Sequence, residues 1–365
     1  MGLSTKLTRL LAIEHPIIQA GMAGGATTPG LVAAVSEAGG LGTLGAAYMT
    51  PDAMRTVVQE VRALTEKPFA VNLFVPEPFD PSLYDPEEVN APLKRYREEL
   101  GIEAPEGLFY AQPFEDQLAV VLDERVPVFS FTFGIPHEAQ LSALKETGTI
   151  VIGTVTTVRE ALALEESGVD AVVGQGSEAG GHRGTFIGDF ESALIGTMAL
   201  VPQLADCVGV PVVAAGGIMD GRGLAAALVL GAEGAQMGTA FLPSPESGIH
   251  PEYKEAVLGA VSEDTALTRA FSGKPARGIR NRFLAEMEDT EVPEYPVQNA
   301  YTRDIRAAAA KEDRIELMSL WAGQAARLGR AIPAAEIVES VTREATMRLS
   351  TFGPGWSYDS ELRNE

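Results

Sequence analysis

The chain has 365 residues, 45% of them hydrophobic and 21% charged, a composition that suits one large buried core carrying an insertion or a cap. Lys and Arg number 28 against 50 Asp and Glu, a formal net charge of −22. An average field of that sign excludes nucleic acid and anionic membrane surfaces as natural partners, although a local pocket for a small anion remains open. No apolar run is long enough to span a bilayer, and the first residues show no signal-peptide cleavage site, so the expected location is cytoplasmic. The one cysteine, Cys207, cannot form an intramolecular disulfide, and its apolar helical context reads as a buried structural thiol.

Read in chain order, apolar runs alternate with amphipathic stretches. The runs are Pro16 to Ala20, Leu41 to Ala46, Phe69 to Phe74, Val126 to Phe133, Thr149 to Val155, Asp170 to Gly176, Val210 to Gly217 and Gly234 to Phe241. They are short and nearly continuous in apolar character, as strands buried on both faces of a parallel sheet are. Helix starts are marked by Thr28-Pro29, Thr50-Pro51, the capping box Thr157 to Glu160, and Asp220. Helix stops are marked by Gly39, Gly148, Gly168 and Gly231. Eight alternations favour an α/β fold of the closed (β/α)8 TIM-barrel kind over an open doubly wound sheet.

Two segments break the cadence. A Pro-rich, charged stretch follows Phe74, and a long tail with helical patterns from Asp304 to Leu328 and from Ala334 to Leu349 follows Leu242. Both would attach over the C-terminal mouth of the barrel. The expected division is residues 1–75, 117–242 and 330–352 for the barrel and 76–116 with 243–329 for a smaller lid domain, the last helix returning to the barrel wall.

Gly40 to Gly45 spells GxGxxG, but it follows a helix and forms a strand, the reverse of a dinucleotide fingerprint. Two later turns carry more weight. Ala214 to Ile218 follows the seventh run, and Gln236 to Thr239 lies in the eighth. In a (β/α)8 barrel these positions commonly hold a phosphate on exposed backbone N–H groups, and glycine lets oxygens approach. After the sixth run, Gly180, Gly181 and Gly184 flank His182 and Arg183. That places a titratable ring at the mouth, as an acid, a base or a hydrogen-bond donor, or else as a plain surface histidine. His15, His137 and His250 support no functional role, and no ligand spacing suggests a metal.

With these motifs quoted, the sequence resembles the nitronate monooxygenases. The resemblance runs through His15 to Gly25, Ala38 to Ala46, Val71 to Phe74, Gly174 to Gly184, the two phosphate-type turns, Ala270 to Phe283, Tyr295 to Ala310 and Met318 to Gly329. Gly21 departs from the proline usual in that family. The resemblance implies non-covalent FMN in a barrel with a lid. Carried over, Ala20, Gly21 and Met22 would flank the isoalloxazine, Asn72 and Gln175 would bond its polar edge, and Gly180 would lie beside it. The phosphate would sit on Gly217, Gln236, Met237, Gly238 and Thr239, and His182 matches the family's active-site histidine. The implied reaction oxidises an alkyl nitronate, such as propionate 3-nitronate, with O2 to a carbonyl compound and nitrite. The implied partners are a small nitronate and O2, and a homo-oligomer is compatible with this reading. The rivals are an NAD(P)H-dependent enoyl-thioester or quinone reductase, which shares the histidine loop, and a non-catalytic phosphate-binding barrel.

Overall fold

The computed structural model describes residues 3–351; the expected outer boundaries of the barrel, 1 and 352, lie outside the described residues. All eight apolar runs form strands. In chain order they are β1 (Ile17–Gln19), β2 (Gly42–Gly45), β3 (Phe69–Phe74), β4 (Val128–Thr132), β5 (Ile150–Val155) and β6 (Ala171–Gln175). After a two-residue strand β7 (Gly181–His182) come β8 (Val212–Ala215) and β9 (Gly234–Met237). Neighbours in the barrel run β1-β9-β8-β6-β5-β4-β3-β2, all parallel. A parallel bridge from Ile18 to Leu41 joins the two ends, with Gln19 N–H donating to the Leu41 carbonyl at 2.9 Å. The fold is a (β/α)8 barrel.

The local signals act as expected. Thr28 and Thr50 accept from the backbone of Leu31 and Ala53 at 3.0 and 3.2 Å, and Thr157 and Glu160 form a reciprocal box. Gly39, Gly148, Gly168 and Gly231 all take positive φ, between +77° and +99°. The misleading GxGxxG has a packing reason. A Cβ on Gly42 would stand 2.1 Å from the Val32 carbonyl oxygen, so the helix Pro29–Glu37 lies directly on the strand. The helix Ala334–Ser350 returns to the barrel wall, burying Ile337, Val338 and Val341 in one cluster with Leu31, Leu224 and Leu228.

Two expectations need correction. The stretch from Asp304 to Leu328 is not one helix. The helix Arg303–Lys311 ends, Asp313 turns with φ +54°, and the chain then runs extended enough for Trp321 to bridge Gly278. Pairing with a neighbouring strand overrides the helical pattern there. Cys207 is exposed rather than buried. It is the last residue of the helix Thr197–Cys207, whose buried side is Thr197, Leu200, Val201 and Leu204; the extended Val208 takes the inward place beyond it.

Above the mouth, the two irregular segments pack on each other. Leu93, Tyr96 and Leu100 share an apolar cluster with Phe283, Leu284, Met287 and Tyr301. Most ion pairs across this junction are exposed and worth little each. Arg97 differs, being 4% exposed. Its guanidinium donates to Asp304 at 2.7 Å, to the Asn90 Oδ1 at 2.7 Å and to the Tyr301 carbonyl at 2.7 Å, tying the first segment to the helix Arg303–Lys311. Removing it leaves the Asp304 carboxylate and a buried carbonyl unpaired. Arg97→Met is expected to destabilise this junction by about 3 kcal/mol, read as faster hydrogen exchange in residues 86–100 and 297–311 with the barrel helices unchanged. Uniform exchange across the chain would contradict that placement.

Candidate active site

The C-terminal ends of the barrel strands open into one cavity of about 580 Å³. Its wall includes Ala20, Gly21, Met22, Asn72, Gln175, Gly180, His182, Gly217, Gln236, Gly238 and Thr239. Of the residues expected to hold the cofactor or act in the site, only Met237 is absent from the wall. Side chains alternate along a strand, so the side chain next to Gln236 points outward, and Met237 is fully buried in the core between barrel and helices. Its carbonyl is already taken by the Ala20 N–H at 2.9 Å.

The phosphate-type turns have the expected backbone. Gly216 and Gly217 take φ of +106° and +74°. Among the described residues, the amides of Gly217, Gly238 and Thr239 have no acceptor within the protein, and all three residues line the cavity. Orphaned amides beside a cavity are a ready anion cradle. The side chain of Thr239 also holds the lid segment on the barrel, its Oγ1 accepting from Gly323 N at 3.0 Å.

Gly21 is tightly packed. A Cβ there would lie 2.5 Å from the Asn72 Cβ, so the bare backbone lets Asn72 sit flush against residues 20–22. Asn72 Nδ2 donates to Ser130 Oγ at 2.9 Å. Gln175 is spent largely on the histidine segment, donating from Nε2 to the His182 carbonyl and accepting at Oε1 from Gly184 N, both at 2.9 Å. Gly180 answers to the lid: a Cβ there would stand 2.5 Å from the Ala322 carbonyl carbon.

His182 lies on an ordered strand, not a free loop. β7 pairs antiparallel with β11 (Ala276–Ile279), and β10 (Thr265–Thr268) completes a three-stranded sheet that joins the loop after β6 to the segment after β9. The ring is half-buried and faces the cavity. Phe74, Phe133, Tyr295 and Trp321 surround it at centroid distances of 6.3, 5.9, 6.0 and 5.3 Å. Its Nε2 lies 2.9 Å from Ser272 Oγ. Loss of water around the ring, then the charges of Lys274 and Arg306, push its pKa down to about 3. The imidazole is therefore neutral at physiological pH and serves as a hydrogen-bonding group, not a stored proton.

Sequence reading missed the aromatic wall, Tyr48, Tyr295 and Trp321, and the lid arginines Arg303 and Arg306, all of which line the cavity except Tyr295, which contacts the His182 ring from above. A signal existed for Tyr48, since it falls between β2 and the Thr50 cap, and such loops face the mouth. Tyr48 and Tyr295 are hydrogen-bonded to each other, and burial raises both pKa values, so both phenols stay protonated.

A closed (β/α)8 barrel whose C-terminal mouth opens into one cavity, with unpaired amides after its last two strands and a neutral histidine in the wall, has the architecture of a barrel enzyme. The model of the nitronate monooxygenase family matches residues 4–344. A protein of Staphylococcus saprophyticus described as a probable nitronate monooxygenase is 50% identical over 353 residues, covering 94% of this chain and 98% of that protein. Its counterpart in Staphylococcus aureus is 48% identical over 343 residues, covering 93% and 96%. Among solved structures, a nitroalkane oxidase from Streptomyces ansochromogenes is 42% identical with a TM-score of 0.88, over 95% of this chain and 99% of that one. FabK from Thermotoga maritima is 38% identical with a TM-score of 0.76, over 96% and 98%. The chain belongs to the nitronate monooxygenase family, an oxidoreductase family of flavin enzymes.

The depressed pKa of His182 has a definite consequence. Its folded value lies below the ordinary 6.5, so the stability it contributes is present above pH 6.5 and is lost as pH falls from there towards 3. Between pH 5 and 9 the ring does not titrate in the folded protein. Flavin reduction rates are expected to show no ionisation near 6.5 that disappears in His182→Ala. An inflection near 6.5 that His182→Ala removes would show a ring that charges in the native state.

Proposed function

We propose that the protein is an FMN-dependent nitronate monooxygenase, oxidising alkyl nitronates with O2 to a carbonyl compound and nitrite. The observation that carries this reading is one cavity whose wall holds both the orphaned amides of Gly217, Gly238 and Thr239 and a neutral, ring-flanked His182. The residues present fit the cofactor. The amides would hold the phosphate, Ala20, Gly21 and Met22 supply a flat wall, and Asn72 offers amide atoms beyond its bond to Ser130. FMN supplies the electron transfer with the nitronate and with O2.

The chain's own residues supply position and environment. A nitronate arrives already deprotonated, so no strong base is required, which agrees with a histidine held neutral. His182 is anchored through Ser272 and through the Gln175 amide, and presents the rest of its ring to the substrate as a fixed hydrogen-bonding group. Protonated Tyr48 and Tyr295, with Phe74, Phe133 and Trp321, keep water away from the reacting groups. Residues 76–116 and 243–329 act as the lid domain that sets the size of the substrate.

The purified protein should be yellow and release FMN, not FAD, on denaturation. Propionate 3-nitronate or propane-2-nitronate should reduce the flavin anaerobically, and turnover should consume O2 with no NAD(P)H present. Rapid reduction by NADH with inertness toward several nitronates would replace this reading by an NAD(P)H-dependent reductase. Gly217→Val should weaken FMN binding by about 10-fold or more, since a β-branched residue is strained at φ +74°.

A further inference from the structure

The charge inside the cavity has the opposite sign to the charge of the chain. Asp and Glu outnumber Lys and Arg by 50 to 28 overall, yet among the described residues the cavity wall carries no Asp or Glu at all. Its formally charged side chains are Arg303 and Arg306, both on the helix Arg303–Lys311 and spaced i, i+3, so they share one helix face.

Several other cations of residues 76–116 and 243–329 pair with carboxylates, while the buried Arg277 is held by the Ser177 carbonyl and the Thr265 hydroxyl, away from the cavity wall. Arg97 pairs with Asp304, Lys274 with Glu77, Arg280 with Glu288, Arg282 with Glu99, and Arg314 with Glu316. The acid nearest in sequence to the cavity pair, Asp304, is turned away to Arg97. Arg303 makes no ion pair or hydrogen bond among the described residues. Arg306 donates only to neutral oxygens, from Nη2 to the Asn299 carbonyl at 2.9 Å and Oδ1 at 2.8 Å, and from Nε to the Thr302 carbonyl at 3.3 Å. Arg306 lines the same cavity as His182 and Tyr48, and its charge helps to hold the His182 pKa down. A desolvated guanidinium without a counter-ion is costly to maintain. A bound anion removes that cost, and the planar fork of guanidinium donors suits a planar group with two oxygens.

We propose that Arg306 binds the nitronate group of the substrate as its counter-charge, with the more exposed Arg303 drawing the anion in. This rests on the nitronate reading above and adds the residue that tells a nitronate from its neutral nitroalkane. The pair is completed only by an anion, so the neutral acid form gains nothing from it.

The experiment uses the FMN-loaded protein and three ligands: propane-2-nitronate, neutral 2-nitropropane, and sodium nitrate as an inert planar anion. Binding is read from the flavin absorbance change and from the half-saturating nitronate concentration in anaerobic reduction. In Arg306→Gln, affinity for nitronate and nitrate should each fall by about 10²-fold or more, the response to 2-nitropropane should not change, and FMN content should stay at the parent level. Arg306→Lys should recover part of the loss. A guanidinium that only closed the end of the helix Val297–Tyr301 would weaken charged and neutral ligands alike, and that result overturns the proposal, as does retention of nitronate and nitrate affinity. If Arg306→Gln does not fold, Arg303→Gln carries the test: a selective loss of nitronate affinity supports the pair, and no loss overturns it. If the parent protein oxidises no nitronate, the function proposed above falls, while the nitrate arm still decides whether Arg306 is an anion site.

Discussion

The site depends on one short piece of backbone pairing. Gly181 and His182 leave the end of β6 and pair with Arg277 and Ala276, so a barrel loop becomes the edge of a sheet whose other strands belong to the lid. Two ladder positions are enough because other contacts hold the same segment. Gln175 clamps it from below through the His182 carbonyl and the Gly184 amide. Arg183, itself buried, donates to the carbonyls of Gly176, Gln175 and Ala193 and locks the turn beneath. The lid segment Ala322–Gly323 presses on Gly180 at a distance that admits no side chain. The ring of His182 thus has its position determined from both barrel and lid. A residue set by two bodies can be precise without lying on a long element, which is what a catalytic geometry requires.

That joint also explains the electrostatics. Packing of the segments outside the barrel around the mouth keeps water from the histidine and the two tyrosines, and the same burial strengthens every charge that remains inside. Lys274 follows Ser272, the hydrogen-bond partner of the ring, by two residues, and its Nζ lies 4.5 Å from the Phe133 ring centroid. Its charge therefore acts on His182 even though Glu77 pairs with it. A protonated imidazole here would add a third positive centre to a desolvated space that already holds Arg306. The neutral ring is a consequence of packing and charge together.

Much of this was legible in the sequence, and the reasons differ by feature. The eight strands could be read because both their faces are buried, so each run is apolar without alternation. The caps could be read because Thr28, Thr50, Thr157 and Asp220 satisfy amides of their own first turns, which is a local matter. The turn after β8 could be read because positive φ at Gly216 and Gly217 is written in the residue type. The aromatic cage and the lid arginines could not be read in the same way. Tyr48, Phe74, Phe133, Tyr295 and Trp321 come from five distant places in the chain, and nothing local says that they meet. The helical pattern after Asp304 failed for a related reason: Trp321 is drawn into a bridge with Gly278, a long-range contact that outweighs local preference.

The glycines around His182 answer to different constraints. In the structure, Gly180 is bared for Ala322 and Gly323, Gly184 lies against Thr154 and Thr132, and Gly181 is needed for its φ of +76°. Gly21 is bared for Asn72. Gly21, Gly180 and Gly184 each admit another part of the protein to the edge of the cavity, and the cavity takes its shape from those approaches. A proline ring at residue 21 would meet the side chain of Asn72. The side chain of Asn72 is held from its other side by Ser130 on β4. The absence of a side chain at residue 21 is thereby transmitted through Asn72 into the barrel interior, and the outline of that wall is set by contacts within the protein itself.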